Sequence, residues 1–421
     1  MPDGDGARRT GQEAAVRAVV TGLGVAAPSG LGTGAHWKAA LDGRGAIGPV
    51  TRFTADAYPT RVAGQVDGFE PAEHLPSRLL PQTDHMTRLA LVAADEALAD
   101  AAVDTASQDA YGMGVVTAAS GGGVEFGHRE LQNLWDRGKE YVSAYQSFAW
   151  FYAVNTGQIS IRHGLRGPSG VLVAEQAGGL DTLGQARRHL RRGTPLVVAG
   201  GVDGALCPWG WVAQVSTGQL STVDDPGRAY LPFAAGAPGY VPGEGGALLV
   251  VEEAEAARAR GVHRVYGEIA GYAATLDPRP GSGRPPGLER AVRNALADAD
   301  IAPGDVDVVF ADASGVVGRD REEAAALVAV FGPGGVPVTA PKAGTGRLFA
   351  GGGSLDAATA LLALRDGVIP PTPNVPCADP GYRIDLVTGA ARELPLRTAL
   401  VLARGDGGFN SAVVLRGGDA R

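Results

Sequence analysis

The most informative stretch of the chain is an apolar run, Val171–Ala174, that leads through small residues into an amphipathic segment. This order predicts a strand, a tight turn and a helix that begins near Gln176. The first side chain of such a helix lies over unpaired N–H groups and a positive dipole, which stabilise a thiolate or an oxyanion. Enzymes place a nucleophile at such a turn. Here the position holds an amide, which donates and accepts hydrogen bonds but cannot act as a nucleophile.

The chain has two cysteines, Cys207 and Cys377. They cannot form a disulfide framework and neither lies in a metal-ligand spacing, so we expect a reducing, cytoplasmic compartment and no metal site. Cys207 stands among apolar residues, with no basic neighbour to lower the pKa of its thiol. An autonomous enzyme that acylates Cys207 stays a competing hypothesis, which loss of turnover on iodoacetamide labelling would support.

The composition excludes several classes of protein. A chain of 421 residues with 45% hydrophobic content can bury two domain-sized cores. Its formal net charge of −8 and its lack of a long basic run argue against nucleic-acid binding. No stretch approaches the roughly 18 apolar residues of a membrane helix, and residues 1–17 lack a signal-peptide core, so we expect a flexible N-terminus and no membrane segment. The basic patch Arg187–Arg192 fits either a docking site for an acidic partner or the solvated end of a helix.

Strands and helices alternate along two successive parts of the chain, with a restart near Arg258–Val265. The repeat predicts two similar α/β halves, residues 18–258 and 259–418, whose sheets are sandwiched between helices. Within the first half, the aromatic stretch Phe148–Thr156 predicts a buried helix.

One predicted helix has an unusual face. Val124, Gly127, Leu131 and Leu134 recur at offsets of three, four and three, which places them on one side. Gly127 fits a plain core stripe poorly, because glycine costs about 1 kcal/mol relative to alanine inside a helix and is kept where a neighbour must come close.

Four separated blocks resemble the β-ketoacyl synthases of the thiolase fold, in order and spacing, over about residues 18 to 417. The blocks are Val20–Gly24, Pro232–Gly245, Lys342–Gly353 and Gly407–Ser411. The resemblance implies a thiolase-like α/β fold, with the two halves in a layered α-β-α-β-α arrangement.

The resemblance also implies which side chains have been replaced. In condensing members, the turn that here holds Gln176 carries the cysteine that receives the acyl chain, and two histidines assist malonyl decarboxylation. The block Ala313-Ser314-Gly315 is similar to the family's Ala-His-Gly, with Ser314 in the histidine position. The block Lys342 to Arg347 is similar to its Lys-Ser-x-x-Gly-His, with Lys342 kept and Arg347 in the histidine position. Without a thiol or imidazoles at these positions, we expect no condensation. In this respect the chain resembles the chain-length factor, or ketosynthase β subunit, of type II polyketide synthases.

For such a subunit the resemblance implies a heterodimer with a catalytic ketosynthase α subunit. An acyl carrier protein would bring malonyl units on its phosphopantetheine, and the chain itself would bind no cofactor. The poly-β-keto product would grow in an interface tunnel bounded by the helix that holds Val124, Gly127 and Leu131. Because all three are smaller than an aromatic ring, we expect a product longer than an octaketide.

Several roles stay open at this point. Gln176 either takes part in the malonyl decarboxylation that supplies the primer, as the resemblance suggests, or fills the vacated pocket and bonds the neighbouring loop. We expect Arg347 to be a structural cation paired with an acid, because a guanidinium does not release its proton at physiological pH. A pure scaffold with no effect on product length is a further alternative.

Overall fold

The computed structural model describes residues 16–279 and 281–418, so most of the predicted flexible segment 1–17 lies outside the described residues. In the first half the main strands are β1 Ala18–Ala27, β2 Met113–Ala118, β3 Ser169–Leu172, β4 Leu196–Asp203 and β5 Gly245–Glu253. In the second half they are β6 Gly267–Leu276, β7 Val308–Phe310, β8 Pro337–Thr339, β9 Thr398–Gly405 and β10 Phe409–Gly417. The main helices are α1 Thr33–Leu41, α2 His85–Asp100, α3 Val124–Arg137, α4 Val154–His163, α5 Gln176–Leu190, α6 Pro208–Val215, α7 Leu288–Asp298, α8 Val317–Phe331 and α9 Ala350–Asp366.

Shorter elements connect these. The short strands are Gly30–Leu31, Ile47–Pro49, Val62–Gly64, Val368–Ile369, Asp385–Leu386 and Arg392–Glu393, and the short helices are Pro71–His74, Gln146–Ala149 and Ala254–Ala259. Turns of 3₁₀ helix cover Ser77–Gln82, Ala110–Gly112, Lys139–Tyr141, Pro303–Asp305, Pro341–Gly344 and Pro380–Tyr382.

The two halves repeat one sheet topology. The first sheet has the order β1-β5-β4-β2-β3, and the second has the order β6-β10-β9-β7-β8. In each sheet the first three strands are antiparallel and the last three are parallel. A short pairing of β1 with β6, at Val19 with Glu268 and Val20 with Gly267, joins the sheets. The predicted pair of similar halves is therefore confirmed.

Helices form the layers around and between the sheets. Side chains of a strand alternate between its two faces, and in β5 Leu249 and Val251 pack with α5 and α9, whereas Leu248 and Val250 pack with α2. In the second half, α7 covers the outer face in the same way. Helix α9 is buried from Ala350 to Leu364, as a helix between two sheets must be. The layered α-β-α-β-α arrangement is thus the observed one.

The aromatic stretch of the first half does not form the helix that its composition predicts. The predicted buried helix over Phe148–Thr156 is wrong: helix stops at Ala149, resumes at Val154, and leaves Trp150, Phe151 and Tyr152 at least 40% exposed. Apolarity marks residues that leave water, but it does not distinguish a core from a cavity wall or a partner surface.

The basic patch Arg187–Arg192 lies at the C-terminal end of α5, at the opposite end of the helix from Gln176. Its first member, Arg187, is buried and donates hydrogen bonds to Asp298 at 2.5 Å and to the Ala270 carbonyl at 2.8 Å. This arrangement favours the helix-end alternative, because cations near a helix C-terminus interact favourably with its dipole.

Candidate functional site

A sharp turn delivers Gln176 to the centre of the molecule. Glu175, directly before α5, has a φ of 49°, which a residue with a Cβ adopts only at a cost in strain. Phe349, directly before α9, has the same φ of 49°, so the turn is repeated in the second half. Non-glycine residues held in this region are concentrated at functional sites. The side chain of Gln176 is fully buried.

The amide of Gln176 is bonded on one side only. Its Nε2 donates a hydrogen bond to Asp312 Oδ1 at 3.1 Å, whereas its Oε1 has no hydrogen-bond partner among the described residues. Helix α9 passes close to this oxygen at Gly352, where a Cβ would lie only 2.7 Å from Oε1. The glutamine therefore occupies the place where a nucleophile would stand, and it is held by the second half of the chain.

Arg347 forms an ionic cluster with the same carboxylate. Its Nη1 is 3.2 Å from Asp312 Oδ2, its Nη2 donates to the Arg404 carbonyl at 2.9 Å, and Glu175 Oε2 lies 3.7 Å away. Burial would raise the pKa of Asp312, but the Arg347 guanidinium, together with the charges of Lys342 and Arg319 and the Arg404 N–H, holds that pKa well below its usual range. Arg347 thus has acidic partners, as expected of a structural cation.

Ser314 lies in the turn that follows Asp312. It is buried, and its hydroxyl oxygen has no hydrogen-bond partner in the described part of the chain. Glu323 on α8 supports this turn by accepting the N–H groups of Asp312 at 2.7 Å and Ala313 at 2.8 Å. Burial, followed by the charge of Asp312, raises the pKa of Glu323 to about 7.

Lys342 is also buried and forms an ion pair with Asp356 on α9. Burial raises the pKa of Asp356 to about 6, against the opposing effect of the Lys342 ammonium. The pair fixes the Lys342–Arg347 loop against the central helix. It consists of one cation and one acid and contains no thiol.

The chemistry of the site follows from these side chains. Gln176 and Arg347 share Asp312, and Ser314 follows this acid by two residues, so the site joins Gln176 to a side chain 136 positions away in the sequence. No thiol is present there to form a thioester, and all seven histidines lie at or before His263 in the sequence. Burial raises the pKa of the Cys207 thiol to about 11, which keeps it protonated at neutral pH and argues against its acylation.

A cavity of about 380 Å³ opens beside the N-terminus of α3. A volume in this range is typical of ligand pockets. The residues that shape its mostly apolar wall are Val124, Trp150, Ala205, Trp209, Ala213 and Phe349.

The three residues that the sequence predicts for the tunnel differ in their position relative to this cavity. Val124 lines it, and Gly127 lies just behind the wall, since a Cβ there would be 3.5 Å from both Trp150 and Trp209. Leu131 is 39% exposed and is not among the lining residues. Trp150 and Trp209 were not predicted from the sequence, although Gly127 indicated that some neighbour comes close.

Within residues 16–279 and 281–418, no group of three His, Cys, Asp or Glu side chains is arranged to hold a metal ion. The helices of that part of the chain are all too short or too polar to cross a bilayer.

Comparison with known proteins gives consistent results. The family patterns for the beta-ketoacyl synthase N-terminal domain and C-terminal domain match residues 16–257 and 266–376. The chain is 63% identical to the actinorhodin polyketide putative beta-ketoacyl synthase 2 of Streptomyces coelicolor, covering 94% of this chain and 98% of that protein. It is 61% identical, with the same two coverages, to the tetracenomycin polyketide synthase ketoacyl synthase beta subunit of Streptomyces glaucescens.

Solved structures share the fold over nearly the whole chain. The ishigamide ketosynthase/chain length factor matches with a TM-score of 0.88 and 25% identity. A type II polyketide synthase acyl-carrier protein in complex with its ketosynthase, bound to the hexaketide, matches with a TM-score of 0.85 and 26% identity. Each match covers 96% of this chain and 100% of the other.

Proposed function

The chain belongs to the β-ketoacyl synthase family, and within it to the ketosynthase β subunits of type II polyketide synthases, and from this premise we propose that it acts as a non-condensing chain-length factor. One observation carries the proposal: the reactive side chains are replaced while a cavity is kept. Position 176 holds a buried amide bonded to Asp312, and the cavity of about 380 Å³ stays open beside α3. Such a chain cannot catalyse condensation of acyl units, but its cavity can limit the length of a polyketide that grows at the subunit interface.

The partner is a catalytic ketosynthase α subunit, which supplies the thiol and imidazoles that this chain lacks at positions 176, 314 and 347. The edge strand β3 is a suitable place for contact, because one side of it is unpaired and Val173, just beyond it, is 50% exposed. The carbonyl of Pro168 accepts the Val115 N–H of β2, and the carbonyl of Leu172 accepts the N–H of Ala119, the residue just after β2. By alternation the Val171 N–H and C=O therefore point away from the sheet.

The pairing can be tested on that edge. Wild-type chain co-expressed with a candidate α subunit should give a native mass that corresponds to one copy of each. Val171→Pro removes an outward N–H and should weaken the complex, whereas Val171→Thr keeps it and should not. A homodimer that ignores the α subunit and turns over malonyl-carrier alone would contradict the proposed function.

The cavity wall is proposed to set product length. A phenylalanine at position 127 must displace Trp150 and Trp209 toward the cavity, since even a Cβ there is 3.5 Å from each. Gly127→Phe should therefore shorten the polyketide made by the complex, as measured by mass spectrometry. Gly127→Ala is the matched control and should leave the length unchanged, because its methyl group makes ordinary contacts. Unchanged length with Gly127→Phe would favour a pure scaffold.

The wild-type product is proposed to exceed an octaketide, because Val124 in the cavity wall and Gly127 just behind it are both smaller than an aromatic ring. Leu131 is also smaller than an aromatic ring, although it is not among the lining residues. Product sizes from variants of these three residues distinguish a tunnel wall from a scaffold.

A second candidate function is decarboxylation of malonyl-carrier by Gln176, which would supply the primer. The observation in its favour is that the Oε1 of this buried amide has no hydrogen-bond partner among the residues that the structure describes. Gln176→Ala should then reduce acetyl-carrier formation by the complex. Priming that continues undiminished would leave Gln176 with the structural role of filling the vacated pocket.

We further propose that the chain holds no cofactor of its own and that phosphopantetheine arrives on the acyl carrier protein. A cytoplasmic location is part of the same proposal, supported by two cysteines that are both free.

A further inference from the structure

Helix α3 begins without a capping side chain of its own. Gly123 occupies the N-cap position, and no side-chain hydrogen bond is made there. A Cβ at Gly123 would lie 2.1 Å from the Ala149 carbonyl oxygen, so Ser, Thr, Asp or Asn cannot take this place. The first N–H groups of a helix have no partners within the helix, and a buried start needs an acceptor from elsewhere.

Asp84 supplies that acceptor from another helix. Its Oδ2 accepts, at 2.7 Å, the N–H of Phe126, the third residue of α3. Its Oδ1 accepts, at 2.9 Å, the N–H of Met86 in the first turn of α2. The side chain is buried, with 2% of the residue exposed. One carboxylate therefore caps two helices and fixes the distance between them.

The capped turn is also part of the cavity wall. Val124, the first residue of α3, lines the cavity, and the Gly123 N–H donates to the carbonyl of Trp150, a second lining residue, at 3.1 Å. A movement of the helix start would therefore move both Val124 and Trp150.

A second charged contact holds the same turn. Glu125 forms an ion pair with Arg52, whose Nη1 lies 3.1 Å from Glu244. Glu244 is 2% exposed and accepts the Val66 N–H at 3.0 Å, so this link ends in the body of the first half. Arg52 restrains the side chain of Glu125, whereas Asp84 is the one side chain among the described residues that hydrogen-bonds the backbone of α3.

We propose that Asp84 is a positioning residue for product length: by capping α2 and α3 together it holds Val124 and Trp150 where they stop the growing chain. This inference rests on the proposed function. Without the cap, the start of α3 is free to take more than one position, and the cavity no longer has one depth. The consequence is a broader set of product lengths.

The test compares variants of this chain in the complex with its α subunit. Asp84→Ala should lower the ratio of the main polyketide to its longer and shorter neighbours by about fivefold, the factor that corresponds to loss of one helix-capping bond of ordinary strength. Asp84→Asn, which keeps one carbonyl oxygen, should give an intermediate ratio. If Asp84→Ala yields no complex, the asparagine variant decides the matter.

Asp307→Ala is the matched control. Asp307 also accepts two backbone N–H groups, from Arg397 at 2.7 Å and Thr398 at 2.8 Å, but it directly precedes β7 and bonds the start of β9, away from α3. It should lower stability and leave the product ratio unchanged. An unchanged ratio in both Asp84 variants, or an equal change with Asp307→Ala, would overturn the inference.

The Gly127→Phe variant separates this inference from the proposed function. If it shortens the product while the Asp84 variants keep the wild-type ratio, only the positioning role fails. If it leaves length unchanged, the tunnel itself is refuted.

Discussion

Removal of the Arg347 guanidinium should destabilise the chain strongly, because Asp312 would remain buried with less compensation. The carboxylate is fully buried, and Arg347 bonds it through both terminal nitrogens, at 3.2 and 3.4 Å. Breaking a buried ion pair by removing one partner costs about 3–5 kcal/mol. Asp312 keeps the Arg404 N–H at 2.8 Å and the Gln176 amide at 3.1 Å. We therefore expect Arg347→Met to lower the free energy of unfolding by about 3 kcal/mol, the lower end of that range.

The measurement is urea unfolding of the purified complex, with protease sensitivity of this chain read from gels on which the two subunits separate. Arg392→Met is the matched control, since the Arg392–Asp385 pair has side chains that are 37% and 38% exposed. Exposed pairs contribute about 0–1 kcal/mol. The control should therefore unfold at nearly the wild-type urea concentration.

A double variant tests whether the unpaired charge of Asp312 causes the loss of stability. Arg347→Met with Asp312→Asn removes the unpaired charge, so its loss of stability should be smaller than the sum of the two single losses. A loss below about 1 kcal/mol for Arg347→Met would refute the reasoning. So would strict additivity of the two single variants.

Two further predictions concern the same site. The pKa of Glu323 is about 7 in the folded chain against 4.5 ordinarily, so the folded state binds a proton that the unfolded state releases. Stability should therefore fall by about 3 kcal/mol from this group as the pH rises between these two values. Glu323→Gln should flatten this decline between pH 5 and 8, and an unchanged slope of the urea midpoint against pH would contradict the assignment. Gln176→Cys should restore a thiol without restoring condensation by this chain, because Ser314 and Arg347 still occupy the positions where imidazoles are needed. The assay follows turnover of radiolabelled malonyl-carrier by a complex with a catalytically dead α subunit, and any condensation product would oppose the prediction.

The sequence alone determined the chemical identity of the site and the plan of the fold. A side chain either carries a thiol or imidazole or does not, so Gln176, Ser314 and Arg347 exclude the condensation chemistry of the family without any coordinates. The repeated alternation of strands and helices is likewise a local pattern, and the two similar halves follow from it.

Only the tertiary structure decided which residues meet. That Asp312 is the acid shared by Gln176 and Arg347, or that Asp84 caps α3, depends on segments tens to more than a hundred residues apart coming together. Apolarity also predicted a buried helix where Trp150 lines a cavity instead, because hydrophobic surface leaves water equally well in a core, a pocket or an interface. Periodicity reports which face of an element avoids water, whereas the packing of distant elements determines what that face touches.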